Sequence, residues 1–197
     1  LTNKKFKNLN ANGGFRLEYS DKIGAQILPQ LNLSYLTENY VVRSSVGRTI
    51  RQADFTERFT SYLIPNLSPG RNAGNPDLEA ETALNWDIGA DVYVSHELQL
   101  SNTLFMRQSN NLIDYSLTSS TEINNLTNLQ DSSNYLYALN ISKSFTWGNE
   151  FSLIYNKQLG KKTSIRAQLN YTYINTSTED SIVSKYIANH PIHNISP

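Results

Sequence analysis

The chain lacks several features that would assign it to common classes of protein. It has no cysteine among its 197 residues, which excludes a disulfide framework and a thiolate metal site. It has no apolar run of about 18 residues, and therefore no candidate transmembrane helix. Its 17 basic and 17 acidic residues balance and do not cluster, which excludes the electrostatic footprint of nucleic-acid binding. The N-terminus, LTNKKFKNLN, lacks the apolar core of a signal peptide.

The usual constellations of catalytic residues are also missing. We find no Ser/His/Asp set, no paired catalytic carboxylates and no phosphate-binding loop, so the sequence predicts neither an enzyme nor a bound cofactor. His190 and His193 are three residues apart, but Pro191 lies between them and no third ligand is near. We therefore interpret these histidines as part of a segment that begins a strand rather than as metal ligands.

What the sequence contains instead is alternation of apolar and polar residues with a period of two. This pattern is typical of β-strands with one apolar face, and no helical periodicity competes with it. Pro29 is awkward in a central strand, so we expect the second strand to start at or just after it. The seven alternating runs cover residues 9–19, 27–35, 40–46, 84–94, 98–106, 135–155 and 165–173.

The connections between these runs alternate between short and long. The short ones are about Leu36–Asn39, Ser95–Glu97 and Asn156–Lys162, and the long ones are Arg48–Glu81, Asp114–Asn134 and Asn175–Pro191. A meander with tight turns at one end and long loops at the other is typical of outer-membrane barrels. All of the runs except 40–46 are also long enough to cross the hydrocarbon layer, which takes about 9–11 residues. The sequence therefore predicts an all-β, antiparallel up-and-down transmembrane β-barrel.

In such a barrel the apolar side chains face lipid and the polar side chains face the lumen. Trp86 and Ile88 are therefore predicted to face lipid, and Asp87 and its neighbours to face the lumen. Four polar residues have the lipid-facing parity. Lys143 lies toward the loop end of its strand, where it can clear the hydrocarbon, but the alternation gives no account of the other three, which are Ser44, Asn102 and Asn149.

Four segments resemble motifs of the TonB-dependent outer-membrane receptors, in the order and with the spacing of that family. They are VVRSSVGRTIRQADFTERF (41–59), GNPDLEAET (74–82), TWGNEFSLIYN (146–156) and IANHPIHNIS (187–196). Each motif alone is weak, but four in order make a strong signal. The chain departs from the family at Gln52-Ala53, where Ala-Pro is usual, and this affects the path expected for the loop.

The resemblance implies a bacterial outer-membrane barrel of 22 strands around a plug. Residues 1–197 supply about seven strands and the start of an eighth, so we interpret them as a partial barrel domain from the C-terminal half, without the plug. The loops look like those of receptors from Bacteroidetes-type bacteria. A complete barrel of eight strands is physically possible and is the alternative.

The family also implies a function, which is capture of a scarce nutrient such as a ferric siderophore or cobalamin and its TonB-driven import. The expected partners are outer-membrane lipid, the nutrient and, through a plug, the TonB complex. Arginine forks and aromatic rings in the long loop 48–81 suit an anionic or planar metal chelate, although a solvated loop explains each residue equally well. These candidate ligand-binding residues are Arg51, Arg58, Tyr62 and Arg71.

The polar parity contributes a second set of candidates, predicted to face the lumen. These side chains could line a conduit, or they could form paired networks and face the plug. They are Arg43, Asp87, Asp91, Glu150 and Arg166.

A hypothesis of a different class is a soluble or surface-attached β-domain that binds glycans, with its tyrosines as stacking platforms. The two hypotheses differ in where the apolar faces lie. A soluble domain must bury the apolar faces of two sheets against each other, whereas a membrane barrel exposes its apolar face.

Overall fold

The structure is a computed structural model that describes residues 2–178 and 192–196. Besides the strands it contains one short α-helix, α1 (Phe55–Phe59), and a 3-10 helix at Ser120–Glu122. The strands are β1 (Thr2–Phe6), β2 (Leu9–Ser20), β3 (Gly24–Leu36), β4 (Tyr40–Arg51), β5 (Asn72–Ala73), β6 (Glu81–Tyr93), β7 (Leu98–Ser119), β8 (Asn134–Gly160), β9 (Thr163–Thr178) and β10 (His193–Ser196).

These strands form a single sheet in the part of the chain that the structure describes. Nine of them follow one another in chain order as an antiparallel meander, and the two-residue β5 pairs in parallel with β8. No second sheet covers the apolar face within the described residues, and Trp86, Ile88 and Leu169 are exposed on it. The prediction of an antiparallel meander with an exposed apolar face is confirmed. The glycan-binding alternative required a second sheet packed on this apolar face, and the described residues contain none.

Among the described residues, no helix is long and apolar enough to cross a membrane.

The seven predicted strands correspond to β2, β3, β4, β6, β7, β8 and β9, and the start of an eighth corresponds to β10. Two strands lay outside the prediction. The sequence of β1, TNKKF, has no alternating apolar residues to indicate a strand. The two residues of β5 are too few to show any period.

The start of β3 differs from the prediction. The strand begins at Gly24, five residues before Pro29, and Pro29 lies opposite Phe15 of β2. On the other side, pairing with β4 begins only at Gln30. Proline has no N–H to donate, so it is tolerated at a position where one side of the strand carries no ladder.

The hairpin of β7 and β8 reaches much further than predicted. The segment Asp114–Asn134 was expected to be a loop, but β7 continues to Ser119 and pairs there with Asn134. The ladder skips one pair at Asn111, whose φ is 54°, and the register is the same on both sides of it. In β7 the alternation is lost beyond Asn111 because both faces of the hairpin are covered by loops, so both carry apolar residues.

The connections at the long-loop end are also less uniform than predicted. The turn between β2 and β3, residues 21–23, lies at that end and is short. The first four residues of the predicted long connection Asn175–Pro191 belong to β9. Its other residues, 179–191, lie outside the described residues.

Aromatic rings pair across strands at two levels of the apolar face. Tyr35 and Tyr40 lie 6.3 Å apart beside a short turn, and Trp147 and Tyr173 lie 5.2 Å apart nearer the long loops. Aromatic rings at two levels are typical of the two interfaces of a membrane-spanning barrel. Lys143 lies four residues beyond Trp147 along β8, on the long-loop side of that level.

The neutral polar side chains on the apolar face are satisfied within the sheet. Asn102 and Asn149 exchange two amide hydrogen bonds of 3.1 and 3.0 Å. Each amide also donates to a backbone carbonyl of the opposite strand, at 3.2 and 3.3 Å. Ser44 Oγ donates to the carbonyl of Asp87 and accepts from Trp86 Nε1. These groups can therefore sit among apolar residues without losing hydrogen bonds to water.

The asparagine pair predicts strongly non-additive substitutions in the intact protein. Asn102→Leu or Asn149→Leu alone leaves one amide without its partner on an apolar surface, which should cost about 1–3 kcal/mol. The double substitution removes both amides and should be closer to wild type than either single variant. The midpoints of thermal denaturation in lipid bilayers give the comparison. Additive losses in the double variant would show that the two amides do not depend on each other.

Candidate ligand-binding lobe

The two long loops fold together around the end of the β7–β8 hairpin. We call residues 52–80 and 120–133, with the hairpin ends they cover, the loop lobe. It has two small apolar cores, one on each face of the hairpin. The core on the polar-face side contains Ala53, Leu78, Ile113, Tyr115, Leu136 and Ala138. The core on the apolar-face side contains Leu67, Ala73, Ile123, Leu126, Leu129, Tyr135, Tyr137 and Leu139.

The first loop passes from one face of the hairpin to the other at the edge of β8. Pairing of β8 with β9 stops at Ser144 within the described residues, and β5 takes the edge beyond it. Leu136 N donates to the carbonyl of Arg71 at 3.1 Å. In the described part of the chain, the loop therefore extends the ladder of β8 at Leu136 and Tyr137, which do not pair with β9 there.

The motif Gly-Asn-Pro-Asp at residues 74–77 fixes the return of this loop. The side chain of Asn75 is buried, donates to the carbonyl of Ala138 at 3.1 Å and accepts from Asp77 N at 2.9 Å. It also accepts from Asn125 Nδ2, at 2.8 Å, and so ties the two long loops together. This role explains why a turn motif stands at the end of the loop.

Arg58 holds the inner part of the lobe. Its guanidinium is buried and donates to three backbone carbonyls, those of Ala53 at 3.3 Å, Pro76 at 2.7 Å and Leu78 at 3.0 Å. A Cβ at Gly74 would lie only 2.6 Å from the carbonyl carbon of Arg58. Glycine at position 74 therefore allows the loop to approach α1 closely enough for these bonds to form.

Arg51 and Glu81 join the lobe to the sheet. Arg51 binds the carboxylate of Glu81 with two bonds of 2.7 and 2.8 Å and donates to Glu57 of α1 at 3.0 Å. Asp54 caps α1 by accepting from Glu57 N at 2.7 Å, in a capping box that fixes the first turn. The end of β4, the start of β6 and α1 thus share one network of charges.

This network changes the pKa values of both partners. Burial alone raises the pKa of Glu81, but hydrogen bonds from Arg51 and from Ile113 N–H outweigh burial and hold that pKa below its usual value. The pKa of Arg51 is raised, chiefly by its hydrogen bonds to Glu81, against partial burial and with help from Glu57. Both groups are therefore charged at neutral pH.

Two tyrosines connect the loops on the other face of the hairpin. Tyr135 has no exposed surface, and its hydroxyl donates to the carbonyl of Leu67 and accepts from Gln130 N. The hydroxyl of Tyr137 donates to Asn125 Oδ1 at 2.8 Å. Burial raises the pKa of Tyr137, and the bond to Asn125 opposes that shift only in part. These bonds fix the second loop against the first.

The four candidate ligand-binding residues all belong to this region, but the structure separates them into two groups. Arg51 and Arg58 are engaged in the ion pairs and carbonyl contacts described above. Tyr62 and Arg71 are exposed. The ring of Tyr62 meets that of Phe59 edge-on, with centroids 5.9 Å apart.

The polar face of the sheet brings three of the five predicted lumen-facing residues close together. Arg43 forms an ion pair with Asp91 and donates to Thr103 Oγ1 at 3.3 Å. A Cβ at Gly89 would lie 2.7 Å from that hydroxyl oxygen and 3.4 Å from Arg43 Cζ. Glycine at this position thus makes room for the guanidinium to reach across the strand.

The other lumen-facing candidates lie on the same face. Asp87 accepts a hydrogen bond from Ser45, beside the Arg43 network. Glu150 and Arg166 are exposed, and the sheet does not bring them into that group. Whether this face lines a conduit or contacts a plug stays a prediction.

No group of three or more His, Cys, Asp or Glu side chains is arranged to hold a metal ion within residues 2–178 and 192–196. His193 begins β10, and its Nδ1 lies 2.9 Å from the hydroxyl of Tyr171. His190 lies outside the described residues.

Comparison with known proteins assigns the chain to a family. The sequence model of the family described as TonB dependent receptor-like, beta-barrel matches residues 2–197. The chain belongs to this family, whose barrels lie in the bacterial outer membrane. No curated protein sequence matches it significantly.

Solved structures with the same fold include several receptors. The siderophore receptor PirA from Pseudomonas aeruginosa has a TM-score of 0.69 at 21% identity, over 89% of this chain and 33% of that one. A mutant of the ferric enterobactin receptor PfeA from the same organism, in complex with enterobactin, scores 0.63 at 21% identity, over 88% and 26%. The copper transporter OprC scores 0.59 at 17% identity, over 88% and 27%. The chain thus spans a third or less of the length of these structures.

Several residues of the lobe were outside the sequence prediction. Phe55, Phe59, Leu63 and Ile64 form an exposed apolar surface, and the only signal for it is a run of apolar residues within an otherwise polar loop. Asn125 and Asn128 bridge the two loops. They could not be distinguished from the other asparagines of an Asn-rich chain.

The lobe should loosen when Arg58 is removed. Arg58→Ala leaves three partly enclosed carbonyls without their donor, and we expect a local cost of about 1–3 kcal/mol. Hydrogen exchange of residues 52–80 in the intact receptor should become faster, while the strand ladders keep their protection. Arg71→Ala is the matched control, because that side chain is exposed. Unchanged exchange in Arg58→Ala would mean that the carbonyl contacts do not hold the lobe.

Proposed function

We propose that this chain is part of an outer-membrane receptor that captures a scarce nutrient of the ferric siderophore or cobalamin type and imports it. The observation that carries the proposal is the folded loop lobe, built at the long-loop end of a barrel wall from this family. A lobe with its own cores and a fixed surface suits capture from outside. The relatives include proteins described as siderophore receptors and as a copper transporter, which agrees with metal-linked cargo.

In this proposal residues 1–197 form a part of the barrel, and a plug elsewhere in the receptor transmits energy from the TonB complex. The mechanism is gated passage rather than chemistry. Of the four candidates in the first loop, we assign Tyr62 and Arg71 to contact with the nutrient because both are exposed. Arg51 and Arg58 shape the lobe that presents them.

Uptake by the intact receptor tests this function. The receptor would be expressed in an iron-limited host without its own siderophore and cobalamin receptors, and accumulation of ⁵⁵Fe-loaded siderophores and of ⁵⁷Co-cobalamin would be measured. We expect one of these compounds to accumulate only when TonB is present and energised. Binding and uptake that continue equally without TonB, or no uptake of any member of the panel, would contradict the proposal.

The proposal also places the apolar face of the sheet against membrane lipid. Ile88→Arg in the intact receptor should cost about 2–4 kcal/mol if this side chain lies near the bilayer midplane. Glu150→Arg is a matched control on the polar face. Gly89, next to Ile88, pairs with Thr103, and Thr103 pairs with Glu150. The two substituted positions therefore lie at nearly the same level of the sheet. Folding into lipid bilayers would be measured. Equal losses for the two variants would argue against one-sided lipid contact.

A further inference from the structure

The loop lobe leaves one apolar surface uncovered. It is formed by α1 and the turn that follows it, where Phe55 and Leu63 are 78% and 90% exposed. This surface borders a depression of about 470 Å³, which we call the apolar depression. An exposed apolar patch on an otherwise polar surface usually marks a site of interaction. The depression is lined by Phe55, Phe59, Ser61, Tyr62, Leu63 and Ile64.

The apolar depression is held in place by the second loop. Asn128 Nδ2 donates to the carbonyls of Ser61 and Ile64 at 3.0 and 2.6 Å, and the carbonyl of Asn128 accepts from Leu67 N at 2.8 Å. Within the depression the rings of Phe55 and Phe59 are 5.0 Å apart. A surface that is already ordered loses little entropy when it binds, so this one is prepared for an occupant.

The size of the depression indicates a small molecule. Its volume lies within the range of about 300–1,000 Å³ that is typical of small-molecule sites. A stable protein partner would require about 20–30 residues on each side, whereas six residues line the depression. A part of an imported nutrient therefore fits this surface better than a second protein does.

The charges around the depression indicate that this part is uncharged. Between residues 51 and 64 every charged side chain is already engaged: Arg51 with Glu57 and Glu81, Arg58 with carbonyls, and Asp54 with the N-terminus of α1. A charged group placed against the rings would lose water without gaining a partner from this segment, and that loss is costly.

We propose that the apolar depression binds an uncharged aromatic or aliphatic face of the nutrient. This inference rests on the proposed transport function and narrows its ligand. The segment that forms the depression lies between Ala53, which packs on the polar-face side of the hairpin, and Leu67, which packs on the apolar-face side. It therefore belongs to the part of the first loop that crosses the edge of the hairpin. Ser61 and Tyr62 supply hydroxyl groups that can orient the bound face.

Two fluorescent glycosides that differ by one carboxylate test the proposal. The probes are 4-methylumbelliferyl β-D-glucoside, which is neutral, and 4-methylumbelliferyl β-D-glucuronide, which is anionic. Binding to the intact receptor in lipid nanodiscs would be measured by saturation-transfer NMR. We expect the neutral probe to bind more strongly, with saturation concentrated on its aromatic protons.

The variant Phe55→Ser/Leu63→Ser should weaken binding of the neutral probe about tenfold or more, since two apolar contacts are lost. Both side chains are largely exposed, so the fold should persist, and the shift between heated and unheated gel bands checks this. Leu117→Ser is the control, because Leu117 is exposed on the same lobe but does not line the depression.

Equal or stronger binding of the glucuronide would overturn the inference of an uncharged face. Binding of the neutral probe that Phe55→Ser/Leu63→Ser leaves unchanged, or no binding at all, would overturn the assignment of the site. TonB-driven uptake that persists under either result would leave the transport function standing. If probe binding depends on Phe55 and Leu63 but the receptor shows no TonB-dependent uptake, the assignment of the site would stand and the proposed transport function would be wrong.

Discussion

The ladder of backbone hydrogen bonds is the constraint on which the rest of this structure depends. A strand in hydrocarbon has no water to satisfy its N–H and C=O groups, so each strand must pair on both sides or end. The antiparallel meander meets this requirement strand by strand. The same requirement extends to side chains, and it accounts for the mutual bonds of Asn102 and Asn149 on the apolar face.

The loop lobe supplies hydrogen-bond partners to β8 beyond the end of its ladder with β9 in the described residues. Beyond Ser144 the edge of β8 has no partner from β9 in the described part of the chain, and the first long loop pairs with it through β5. That pairing requires the loop to cross the edge, and its two ends then cover opposite faces of the hairpin. Buried apolar side chains on both faces stabilise the crossing, while Arg58 and Asn75 satisfy carbonyls that the crossing encloses.

The sequence predicted the membrane part of the fold because one physical rule, alternation between lipid and lumen, governs most residues there. Trp86, Ile88 and Leu169 were assigned correctly to the exposed apolar face. In β7 that rule ends beyond Asn111, since each face of the hairpin packs against a loop, and the predicted run of β7 ended before this point. The four candidate residues were chosen from one loop, and ligand binding by that loop stays a prediction. A sequence does not distinguish an arginine that binds backbone carbonyls, such as Arg58, from an arginine that is free to bind an anionic ligand.

The way the lobe is joined to the sheet limits how the proposed transport can work. Arg51, Glu81 and Glu57 link the ends of β4 and β6 to α1, and β5 continues the ladder of β8. The lobe cannot swing away from the wall without breaking these bonds and opening its cores, which a ligand bound at one shallow surface could not offset. In the proposed transport, the lobe would therefore stay fixed to the wall. The opening that admits cargo would come from the plug on which TonB acts.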